Sequence, residues 1–170
     1  SAGGMDRRAV AEAMAKALGA VAEAAVRFIV AWTRFEYSDF RNNPMATTMP
    51  APGATLCPGR KSGKPSSHGV KCYPDGQTGV DAGARTLMTS GKGRYEKAVQ
   101  LLRQGNIIGG VVEEALQRGT KDGLQYCAGN CPIYDKHMIS AEAERYRSDP
   151  ALYQKRGAEQ VLDTPIGAVG

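Results

Sequence analysis

Six side chains in this sequence are of the types that ligate metals, act as nucleophiles or cross-link: Cys57, His68, Cys72, Cys127, Cys131 and His137. They fall in two groups, "CPGRKSGKPSSHGVKC" and "CAGNCPIYDKH". A structural zinc site draws its ligands in close pairs, cysteines separated by roughly two to four residues. Only Cys127 and Cys131 meet that spacing, so neither a metal nor any other cofactor is expected. The four cysteines form an even set, which disulfides explain more simply. Cys57–Cys72 with Cys127–Cys131, and Cys57–Cys131 with Cys72–Cys127, are equally compatible with the sequence. Closing a loop of about 15 residues removes roughly 3 kcal/mol of freedom from the unfolded chain. Disulfides place the chain in an oxidising compartment: periplasm, exterior or organelle lumen.

Other chemistry is weaker. A phosphate-cradling P-loop needs four residues between its first glycine and Gly-Lys-Ser/Thr. Gly59 is too close to Gly63-Lys64, and Pro65 stands where a magnesium-binding hydroxyl belongs. "TSGKGRYEKA" sets Gly91, Lys92, Gly93 and Arg94 at a helix start, which reads as an ordinary helix entry with a solvated lysine. For acid–base work the chain has two histidines, and one suffices. His68 has serines beside it and His137 follows "IYDK", but no local motif joins either to a nucleophile. Glu113, Glu114, Glu142 and Glu144 lie in helical patterns and read as solvated faces.

The loop between Cys57 and Cys72 has a charge of one sign. Arg60, Lys61, Lys64 and Lys71 occupy it without an acidic residue, and the whole chain carries +5 at neutral pH. Such a patch suits an anionic partner. Nucleic acid is the less favoured one, because aromatic side chains for stacking bases are sparse around these cations. An acidic protein surface explains the same residues.

The elements that must position these groups are mostly helical. Val10, Met14, Leu18, Val21, Ala25, Phe28, Trp32 and Phe35 recur at steps of three and four. That is the apolar seam of one long helix over about residues 6–40, stopped at Asn42-Asn43-Pro44. Residues 44–90 lose all periodicity and read as an irregular, Gly/Pro-rich, turn-forming arm of basic character. Short helices are expected over 91–160: one striped by Tyr95, Ala98, Val99 and Leu102 and capped by Gly105, another with Ile108, Val111, Val112, Ala115 and Leu116 inward. Asp149 and Pro150 open a further helix, and residues 161–170 form a tail. The expected fold is one mostly α domain, a long N-terminal helix (1–43) plus short helices, joined by a disulfide-stapled arm (44–90). Its core is thin, because only 42% of residues are apolar and aromatics make up 6%. No apolar run reaches the roughly 20 residues that span a bilayer.

These features together suggest a non-enzymatic accessory subunit that docks on a larger protein complex. The long helix would offer Phe28, Trp32 and Phe35, and the cystine-closed arm its cations. The alternative is a small secreted basic enzyme, of toxin or hydrolase type, using His68 or His137.

Overall fold

A computed structural model describes residues 7–36, 40–58, 68–118, 137–149 and 151–152. The fold is mostly helical: α1 (Arg7–Leu18), α2 (Glu23–Phe35), α3 (Gly76–Thr89), α4 (Glu96–Arg103), α5 (Val111–Arg118) and α6 (Met138–Ser148). A two-residue antiparallel ladder, β1 (Thr55–Leu56) with β2 (Lys71–Cys72), lies between α2 and α3. Its register sets Thr55 opposite Cys72 and Leu56 opposite Lys71.

The single long helix expected at the N-terminus is two helices. Gly19 adopts φ +70°, a left-handed conformation that a side chain resists. Its N–H donates to the carbonyl of Lys16 at 3.1 Å, and that of Ala20 to Ala15 at 2.8 Å. This is the paired closure of a Schellman cap. Arg103 Nε adds a hydrogen bond to the carbonyl of Leu18 at 2.8 Å, a cation at a negative helix end. Val21 in the expected seam is solvent-exposed, because it sits in the turn and not on a helix.

The turn lets α2 run through the middle of the molecule. Every residue from Ala25 to Thr33 is buried, the mark of a helix covered on all sides. It packs on α1 and on α6, while α1 also packs on α3 and α4 on α5. Phe28 and Trp32 meet edge to face at 5.7 Å between ring centres, inside a core with Met14, Leu18, Leu102 and Ile139. The expected stripe on α4 is buried too, and Gly105 closes that helix at φ +69°. On the next segment Ile107 is fully buried, whereas Ile108 is exposed.

The arm is not irregular throughout: α3 occupies residues 76–89. Asp75 caps it, accepting from the N–H and the hydroxyl of Thr78, each at 2.8 Å. Its glycines, which lower helix propensity, are contact points. A Cβ on Gly79 would land on the carbonyl oxygen of Asn42, and one on Gly83 would press Met45 and Met14 at 3.2 and 3.3 Å. Backbone of the arm therefore lies directly against α3. The helix expected from Asp149 and Pro150 lies mostly outside the described residues, though Asp149 Oδ1 does accept from the N–H of Ala151 at 3.1 Å.

Candidate functional site

Cys57 and Cys72 form a disulfide with Cα atoms 5.0 Å apart. Cys127 and Cys131, like Arg60, Lys61 and Lys64, lie outside the described residues. Cys57 itself is fully buried, and its N–H donates to the carbonyl of Val70 at 3.0 Å. Two buried asparagines hold the base of this loop. Asn43 Oδ1 accepts from the N–H of Thr47 at 2.9 Å, and its Nδ2 donates to the carbonyls of Thr47 and Lys71. Asn42 Nδ2 donates to the carbonyl of Tyr73 at 3.0 Å. The backbone of Lys71 completes the net by donating to Thr47 at 3.1 Å, which leaves the Lys71 side chain half-buried at the loop's foot. A polar group buried here is satisfied by the backbone it organises. In the sequence these asparagines look like a helix stop, and in the structure they anchor the arm.

Tyr73 belongs to the same net. It is almost wholly buried, its hydroxyl donates to the carbonyl of Met49 at 2.6 Å, and burial pushes its pKa up to about 12, against the opposing pull of Arg85. Across the arm, the hydroxyls of Thr47 and Thr86 meet at 2.5 Å, joining the arm to α3.

Between arm and helices opens a cleft of about 580 Å³. One wall is the outer face of α3, with Thr78, Asp81, Ala84, Arg85 and Met88. Ala17 at the end of α1 and Ala51 and Pro52 of the arm complete it. Neither His68 nor His137 lines this cleft. Both are exposed. His137 starts α6 at φ +56° without a side-chain capping bond, and its ring covers Gly110 so closely that a Cβ there would fall within it. Among the described residues no three His, Cys, Asp or Glu side chains converge as a metal site requires.

The aromatic residues expected to meet a partner are placed inward. Phe28 and Trp32 are covered within the chain's own core, and Phe35 is half-buried against it. Two of the four glutamates expected on solvated faces are also interior. Glu142 is paired with Arg34 and accepts from the Tyr146 hydroxyl at 2.7 Å. Burial, and then the hydrogen bond to Glu142, push the Tyr146 pKa up to about 12. Glu113 is fully buried on α5; its Oε2 accepts from the N–H and hydroxyl of Ser140, at 3.0 and 2.7 Å. It thereby caps α6 from a neighbouring helix, a favourable place for a carboxylate. Glu114 is exposed and Glu144 half-buried. Burial of Glu113 and Glu142 depends on partners distant in sequence, so helical periodicity carries no sign of it.

One further arrangement escaped sequence reasoning. Glu36 ends α2 and accepts from the Trp32 indole N–H at 3.2 Å. Tyr95 lies near it: burial raises the Tyr95 pKa, Arg94 lowers it and Glu36 raises it further. Trp32 and Glu36 are one helical turn apart, a signal present in the sequence but common to many helices.

Among the described residues no helix is long and apolar enough to cross a membrane. Comparison with protein-family models, curated proteins and solved structures finds no match to this chain.

Proposed function

We propose that this chain is a non-enzymatic interaction subunit that docks on a larger protein assembly through the cystine-closed loop between Cys57 and Cys72. The observation that carries this reading is the way the loop's base is built into the fold. The disulfide, the net of Asn42 and Asn43 and the buried Tyr73 all fix it. A base held in one shape lowers the ordering cost of binding. The cations Arg60, Lys61, Lys64 and Lys71 within the loop suit an acidic face on the partner, steering association and selecting against basic surfaces. The disulfide also supports an oxidising compartment. Phe28 and Trp32 have no part in this docking.

The test is native size in an extract of the source. Wild-type protein is expected to co-elute with a large complex, and a variant with Arg60, Lys61, Lys64 and Lys71 changed to Glu is expected to elute as a free chain. A wild-type chain that elutes alone, or a variant that stays in the complex, overturns the reading.

A further inference from the structure

The cleft beside α3 offers charges that docking through the loop does not use. Asp81 and Arg85 are one turn apart on α3, where opposite charges ordinarily pair. They do not pair here. Asp81 Oδ1 accepts from Gln77 Nε2 at 2.8 Å, and Arg85 Nη2 donates to the carbonyl of Pro50 at 3.1 Å. No other hydrogen bond or ion pair engages either side chain among the described residues. One carboxylate oxygen and most of one guanidinium therefore face solvent at the cleft. Both residues are exposed.

Besides Thr78, the rest of the lining is small and apolar: Ala17, Ala51, Pro52 and Ala84, with Met88. Met is a side chain that adapts to varied apolar contacts. The volume, about 580 Å³, lies in the range of sites that enclose a small ligand.

We infer that this cleft binds a short extended segment of a partner polypeptide, one that presents a cation and an anion on the same face. Residues one helical turn apart have Cβ atoms about 5–6 Å apart. Alternate residues of an extended chain are spaced by about 6.5–7 Å, so a Lys and a Glu two positions apart reach Arg85 and Asp81 together. The ammonium meets Asp81, the carboxylate meets Arg85, and flanking small side chains lie on the alanines. Among the described residues the cleft is lined from α1, α3 and the segment before Cys57, and its charges can be changed without touching those of the loop, so each site can fail alone.

The experiment is an amide-resonance titration of the whole chain with three terminally blocked pentapeptides, Ala-Lys-Ala-Glu-Ala, Ala-Glu-Ala-Lys-Ala and Ala-Gln-Ala-Gln-Ala. One charged peptide is expected to give saturable shifts at Asp81, Ala84 and Arg85. Asp81→Asn and Arg85→Gln are each expected to weaken it about fivefold, the upper range for an exposed charge pair. Exchanging the charges, with Asp81→Lys and Arg85→Glu together, is expected to invert the preference between the two charged sequences. The inference is overturned if all three peptides shift these resonances alike, or if none saturates up to about 10 mM. It is equally overturned if the exchanged variant keeps the original preference.

Discussion

Gly79 shows how much of this molecule turns on single atoms. On an exposed helix, replacing glycine by alanine stabilises by about 1 kcal/mol. Here the added methyl would occupy the position of the Asn42 carbonyl oxygen, which is itself locked beside the Asn42 side-chain bond to Tyr73. Gly79→Ala is therefore expected to destabilise by about 3 kcal/mol or more, measured by urea unfolding. A neutral or stabilising change would mean that the arm does not rest on α3. Two tyrosines make a separate statement about pH. Burial raises Tyr73 and Tyr146 to about 12, above the ordinary value of about 10 in an unfolded chain. In the folded state both keep their protons where the unfolded state loses them, so their stabilisation is complete below pH about 10 and is lost as pH rises toward 12. Of the seven tyrosines, these two, with Tyr95, whose pKa burial also raises, are expected to ionise late in an ultraviolet titration, accompanied by unfolding. Tyr146→Phe is expected to lessen the alkaline loss of stability. If it leaves that loss unchanged, Tyr146 is not the group responsible.

At the scale of elements, the arm is the part whose stability depends on a cross-link. The disulfide joins residues 15 apart, and its removal by Cys57→Ser with Cys72→Ser is expected to cost about 3 kcal/mol. Hydrogen exchange gives the sharper measurement. Amides of Cys57, Lys71 and Tyr73, bonded to Val70, Thr47 and Arg41, should exchange faster by local opening, while those at the centre of α2 change only with global stability. Equal acceleration everywhere would mean that arm and core open as one unit. This element also marks the limit of what could be read from the chain. The mostly α fold, the stripe on α4, the cap at Gly105 and a disulfide within the irregular segment all followed from periodicity and residue type. The break at Gly19 was masked because Val21 continues the spacing of Leu18 and Ala25 while lying in a turn. α3 was hidden for the opposite reason: Gly79 and Gly83 look like turn residues, and only the packing of Asn42, Met45 and Met14 makes them suitable for a helix. The cleft was illegible because its walls come from α1, the arm and α3, and nothing local couples Ala17 to Pro52 or Asp81.

For the whole molecule, the central position of α2 determines how the chain should come apart. The chain has a single tryptophan, and that residue is 1% exposed in a core to which α1, α3, α4, α5 and α6 all contribute. Its fluorescence thus reports the packing of the entire core, whereas far-ultraviolet circular dichroism reports the helices. One shared core gives a single cooperative transition, so the two signals are expected to follow the same urea curve. The disulfide-free chain should shift that curve to lower urea without separating the signals, because α2 packs on α1 and α6, which the disulfide does not join. Trp32→Ala, which removes an aromatic side chain from the centre, is expected to cost about 3–5 kcal/mol. That is a large share of the roughly 5–15 kcal/mol that holds a domain folded. Circular dichroism lost at higher urea than fluorescence would show that some helices persist without the α2 core. The chain would then have to be treated as more than one folding unit, and the interaction surfaces on arm and cleft would belong to a part able to stand on its own.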